Sequence, residues 1–169
     1  MNAMSNKTQT PPRELSLTRD IDAPPALVYR AWTEHLTEWF APRPLTTTAI
    51  EIDFRAGGRF QAVMKDPATA EGGSPEYPLD GVFLEVVPNQ RIVSTDAFRP
   101  GWQPSEKAFM VAITTFDDLG NGRTRYTARA LHWSDEDMQA HEQMGFHEGW
   151  GQVADQLIEV VARLKAGGK

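Results

Sequence analysis

The stretch from Ser134 to Lys165 constrains the rest of the chain most. Phe146, Trp150, Val153, Leu157, Val160, Val161 and Leu164 recur at helical spacing and share one face, while Glu148, Gln152, Asp155 and Glu159 share the opposite one. Ser134 followed by Asp137 reads as a capping-box-like start, with Asp135, Glu136 and Asp137 crowding the first turn, where carboxylates favour the helix dipole. Gly167 and Gly168 lie just past the other end. Unbroken, such a helix is about 45 Å long at ~1.5 Å per residue. A stripe of that length must be buried against something large. Carried back toward Ser134, it meets the polar Gln139, Glu142 and Gln143. Two readings fit: a break near Gly145, or an overhang above a space that is not tightly packed.

What precedes the helix reads as short strands. Residues 1–12 are polar, end in Pro11-Pro12, and are expected to be a disordered tail; residues 13–166 are expected to form one domain. Leu15, Leu17 and Arg19 alternate with Ser16 and Thr18 in a first strand ending near Ile21. Asp22 before Pro24-Pro25 signals a short helix carrying Leu27, Val28, Ala31 and Trp32, and a second short segment spans Leu36 to Phe40. From Leu45 the period becomes two. Ile50, Ile52 and Phe54 alternate with polar neighbours, Gly57-Gly58 marks a hairpin, and Phe60, Ala62 and Met64 alternate in their turn. Residues 65–78 read as a loop; strands follow at about 79–87, 91–97, 107–117 and 123–131. The last strand puts Thr124, Tyr126, Ala128 and Ala130 on its inner face, and His132 continues that parity. The fold class is therefore α+β, in the order strand, two helices, six strands, helix, with about seven strands in a curved antiparallel sheet covered by the long helix. A cavity is expected beneath the helix ends.

Composition narrows the function. Seventeen basic against 23 acidic side chains give a net charge of −6, which argues against broad nucleic-acid or anionic-membrane binding. Without cysteine there is no disulfide, thiolate metal site or cysteine nucleophile. No apolar run reaches the ~20 residues of a membrane span, and no secretion signal is legible, so a cytoplasmic protein is expected.

Several motifs carry a family likeness. They are Ile21-Asp22-Ala23-Pro24 leading into Val28-Tyr29-Arg30-Ala31-Trp32-Thr33, Trp39-Phe40-Ala41-Pro42, Gly57-Gly58-Arg59-Phe60, and Gly81 to Pro88 followed by Arg91-Ile92-Val93. The last is Met144-Gly145-Phe146-His147-Glu148-Gly149-Trp150. Over about residues 14–165 the chain resembles the START/Bet v 1-like (SRPBCC) superfamily and, within it, the activator of Hsp90 ATPase homologue 1-like family. The resemblance implies a helix-grip fold. It also implies three functional classes: pocket proteins for lipids or aromatics, polyketide cyclase-like enzymes, and Hsp90 co-chaperone domains. About a dozen residues precede the first strand here, so weak docking rather than ATPase stimulation is the form the third class would take.

Among candidate groups, His141 and His147 are six residues apart and cannot share a ligand face on one helix, and no His-Glu-x-x-His pattern occurs, so no metal and no cofactor is expected. His141 projects onto the polar, solvated face. His132, His147 and Glu142, the last projecting toward the buried side, are the weak acid–base candidates. The aromatic residues say more. Phe54, Phe60, Met64 and Tyr126 share inner parity and either fill the core or line an apolar pocket with Tyr126 as its polar handle. Trp102 is a lid or an interaction knob. The favoured expectation is a protein that binds an apolar or aromatic small molecule without transforming it, through Phe54, Phe60, Met64, Trp102, Tyr126, His132, Gln143, His147 and Trp150. Its mouth is expected between the 65–78 loop, the Phe98–Pro104 turn and Gln143 to Trp150. An enzyme of the cyclase or hydrolase kind is the alternative, and a homodimer stays open.

Overall fold

A computed structural model describes residues 13–67 and 75–167; the expected N-terminal tail and half of the 65–78 loop lie outside them. The elements in order are β1 (Glu14–Ile21), α1 (Pro25–Glu34), a 3-10 turn (Leu36–Glu38), β2 (Thr46–Ile52), β3 (Arg59–Lys65), β4 (Glu76–Val87) and β5 (Arg91–Thr95). There follow a short hairpin of β6 (Phe98–Arg99) and β7 (Gln103–Pro104), then β8 (Met110–Gly120), β9 (Arg123–His132), α2 (Asp135–Gln143) and α3 (Phe146–Lys165). Seven strands form one antiparallel sheet in the order β1-β9-β8-β5-β4-β3-β2. This is the helix-grip arrangement. The first strand pairs with the last, from Glu14 opposite Leu131 to Ile21 opposite Thr124. Irregularities at Ala49/Glu51, Phe83/Glu85 and Asp118/Gly120 insert extra residues that bend the strands and increase their twist, so the sheet can wrap around α3.

The core lies between this sheet, α1 and α3. Trp32, Trp39, Phe83, Phe116, Tyr126, Leu157 and Val161 are all buried in one cluster. Its indoles are satisfied inside it: Trp32 Nε1–H donates to the Tyr126 hydroxyl at 3.1 Å, and Trp39 Nε1–H to the Ala31 carbonyl at 3.0 Å. Gly58 is dictated by a close approach, since a Cβ there would stand 2.1 Å from the Asp53 carbonyl oxygen.

Two departures from the sequence reading have physical causes. β4 begins at Glu76, within the expected loop, although it contains Pro78. On that stretch its ladder partner is β3, while β5 pairs only from Val82 onward, so a residue without an N–H is tolerated. The Pro100-Gly101-Trp102 turn closes the β6–β7 hairpin, with Gly101 and Trp102 at φ 83° and 59°. Of the two readings of the long helix the break is the one found: Gly145, at φ 94°, separates α2 from α3. That left-handed geometry favours a residue without Cβ. The expected cap holds, with Ser134 Oγ accepting from Asp137 N–H at 3.1 Å.

α3 buries Phe146, Leu157, Val160, Val161 and Leu164 and exposes Glu148, Gln152, Asp155 and Glu159, as its periodicity dictates. Gln156 breaks the pattern by being buried. Its amide donates to the Trp39 and Ala41 carbonyls at 3.0 and 2.7 Å, and its oxygen accepts from Arg43 N–H at 3.0 Å, clasping the segment after the 3-10 turn to the helix.

Candidate functional site

Cross-strand partners share a face, so the pairing identifies every inward position. Met64 stands opposite Tyr77, Ala62 opposite Leu79, Ser94 opposite Ala112, and Ala112 opposite Ala130. These lie on the same face as Tyr126 and His132. Ala62 and Ala130 are fully covered, yet Met64, Leu79, Ser94, Met110 and Ala112 are only half-buried, as are Trp150 and Val153 on the facing helix. Ser94 and Ala112, at the middle of the sheet, are small, and these inward positions keep part of their surface exposed.

One end of the face carries a buried histidine pair. β9 delivers His132 on its inner parity, and α2 delivers His141; they are 8% and 7% exposed. His132 Nδ1 lies 3.1 Å from the Arg13 carbonyl oxygen, and His132 Nε2 lies 2.9 Å from His141 Nδ1. A carbonyl only accepts, so neutral His132 carries its proton on Nδ1 and accepts at Nε2 from His141 Nδ1–H, a tautomer assignment fixed by the network. The lone pair of His141 Nε2 is left over, and among the described residues that atom has no hydrogen-bond partner. Rings of Phe109, Phe146 and Trp150 stand 5.1, 5.2 and 5.7 Å from the His141 ring. Burial, and after it the neighbouring His132, bring the pKa of His141 down from 6.5 to about 4. His141 therefore remains a neutral imidazole at physiological pH, a hydrogen-bond acceptor in an aromatic surround.

His141 is a correction to the sequence reading, which put it on the solvated face. That projection extended one helical wheel through Gly145, but the break gives α2 and α3 independent rotations. The same break explains Glu142 and Gln143 on α2, which are exposed rather than turned inward; His147, on α3, is exposed too. Neither His147 nor Glu142 converges on the His132–His141 pair, so the acid–base candidates do not assemble into one constellation. Tyr126 is 4% exposed, its hydroxyl is taken up by Trp32 and Thr114, and burial pushes its pKa up to about 12. It belongs to the core rather than serving as a polar handle. Phe54 and Phe60 pack on Phe83 with ring centroids 5.0 Å away in each case. Met64 and Trp150 remain on the half-open face. Trp102 is exposed and lies edge-on to Phe98 at 5.9 Å. Its ring also covers Gly57, where a Cβ would meet it at 3.2 Å. It thus sits on the β2–β3 turn.

Two concavities stand out, and neither is at the expected mouth. The larger, about 340 Å³, is at the far end of α3 between Ile21, Ile158, Val161 and Ala162. The Lys165–Asp22 ion pair, at 3.2 Å, is part of its wall. The smaller, about 190 Å³, is lined by the 3-10 turn, the start of β2 and Gln156. At the Gly145 end a Cβ on Gly145 would meet the Glu148 carboxylate at 3.2 Å, whereas one on Gly149 would meet open space. Among the described residues no three His, Cys, Asp or Glu gather as a metal site, and no helix is long and apolar enough to cross a membrane.

The family model described as activator of Hsp90 ATPase homolog 1-like protein matches residues 22–162. The chain belongs to that family. A solved structure from Nitrosomonas europaea is 39% identical, with a TM-score of 0.81 over 90% of this chain and 96% of that one. One from Chromobacterium violaceum is 26% identical, with a TM-score of 0.66 over 87% and 96%. A family protein from Silicibacter pomeroyi, 22% identical with a TM-score of 0.64 over 88% and 97%, shares the fold. No curated protein matches the chain. Membership of the activator of Hsp90 ATPase homolog 1-like family agrees with the helix-grip architecture and leaves the function to be read from the site.

Proposed function

We propose that this member of the family binds an apolar or aromatic small molecule against the half-open concave face between the sheet and α3, with His141 Nε2 accepting a hydrogen bond from the bound molecule. The observation that carries this reading is that Met64, Leu79, Met110, Trp150 and Val153 face inward and yet keep solvent exposure. Exposed apolar surface facing an interior is what an apolar ligand covers favourably, at roughly 25 cal/mol per Å². The neutral, buried imidazole supplies the single oriented polar contact that gives such a site selectivity. Among the described residues no carboxylate is hydrogen-bonded to the histidine pair, which favours binding over transformation.

The neutral fluorophore N-phenyl-1-naphthylamine tests the reading. Its emission should rise saturably with the wild-type protein and fail to rise with Ala112→Leu, which fills the middle of the face. Equal enhancement by both proteins would refute it. The chaperone reading suggested by the family description makes a different prediction, a change in Hsp90 ATP turnover on mixing, and such a change would count for that reading instead.

A further inference from the structure

Thr47 is the second residue of β2 and stands opposite Met64, so its side chain faces the inner side at the free edge of the sheet. It is 7% exposed, and its hydroxyl has no hydrogen-bond partner. A buried hydroxyl in that state has lost its water bonds without replacement, which native structures rarely tolerate unless something else completes the site. Thr47 lines the concavity of about 190 Å³ between the 3-10 turn, the Arg43–Leu45 segment and α3. That space is large enough for one small molecule.

The other wall groups define what would fit. The Gln156 amide is used up by its bonds to the chain and to Gln152. The Glu38 carboxylate is held by Arg163 and His35, and the Arg43 guanidinium by Glu159 at 2.6 Å. Every charge in the wall therefore has its counter-charge. A charged ligand would lose hydration and find no unpaired partner. A hydroxyl, in contrast, both donates and accepts. It can complete Thr47 in either sense, while a second hydroxyl on the same molecule donates a hydrogen bond to Glu38 or accepts one from Arg43 at the rim.

We propose that this concavity, at the free edge of the sheet and lined by none of the residues assigned to the apolar site, is a binding site for a small neutral polyol of glycerol size, independent of the function proposed for that site. Thr47 is its buried anchor, and Glu38 and Arg43 are its polar rim.

The experiment is a titration of the ¹⁵N-labelled protein with glycerol and with erythritol, followed by amide chemical shifts, with acetate and methylammonium as charged counterparts. The expected result is saturable shifts, in the millimolar range, of the Leu45, Thr46 and Thr47 amides and the Gln156 side-chain NH₂, with the Trp150 indole unmoved. Thr47→Val should weaken binding at least tenfold, and Thr47→Ser should restore it. The wild-type titration stands by itself should Thr47→Val fold poorly. Three results would overturn the proposal: shifts that only drift linearly with polyol, as for a site holding water alone; equal affinity in Thr47→Val; or tighter saturation of the same resonances by acetate or methylammonium.

Discussion

Replacing His141 by Phe should flatten the acid limb of the stability curve. The phenyl ring keeps the packing against Phe109, Phe146 and Trp150 but removes the titrating group. In the folded protein His141 takes up a proton only near pH 4, because it is buried and faces His132, whereas the unfolded chain takes it up near 6.5. Above about pH 6.5 neither state is protonated there and the full stability is present. As the pH falls from about 6.5 to about 4, the unfolded state binds the proton first and stability is lost; below about 4 this group adds no further slope. At ~1.36 kcal/mol per pH unit the whole displacement corresponds to about 3 kcal/mol, an upper figure. His132 is the titratable side chain facing His141, with the Arg13 carbonyl behind it, and the other neighbours described are uncharged rings. Carboxylates such as Glu14, whose pKa the bonded Arg129 lowers, also titrate in acid, but they do so in both proteins and cancel in the difference. Urea unfolding of wild type and His141→Phe at pH 7 and pH 4.5 measures that difference. Wild type should lose about 2–2.5 kcal/mol more than the variant. Equal losses would refute the assignment of a buried neutral imidazole.

Gln156→Leu should destabilise the fold by about 2–4 kcal/mol in chemical denaturation, because it strands the Trp39 and Ala41 carbonyls and the Arg43 N–H. Gly145→Ala should cost about 1–2 kcal/mol, read as a lowered melting temperature, since its φ of 94° disfavours a side chain. Tyr126 should ionise near pH 12 in the folded protein, visible as a late step in the ultraviolet phenolate titration that moves down toward 10 in denaturant.

What could be read in advance followed from local periodicity. Alternation along β9 placed Thr124, Tyr126, Ala128, Ala130 and His132 inside, and all five are buried. The stripe on α3 and the Ser134 cap were legible for the same reason. His141 was not, because its environment depends on how α2 is rotated against α3, and the backbone angle of Gly145 sets that rotation. A helical wheel has no means of expressing such a break. Gln156 was hidden differently: a polar residue among apolar neighbours reads as solvent-facing until the segment after the 3-10 turn is seen to bring backbone groups to it. A cavity beneath the helix ends was expected, but its mouth was put at the Gly145 end; the concavity at the far end lies between Ile21 of β1 and Ile158 of α3, which only the packing of the helix across the sheet brings together.

The central claim is that a ligand covers the half-open face beside α3. Intermolecular nuclear Overhauser effects between N-phenyl-1-naphthylamine and the methyl groups of the protein test it most directly. The account predicts contacts to Met64, Leu79, Met110 and Val153. Contacts confined to Ile21, Ile158 and Val161, in the groove at the other end of the helix, would contradict it.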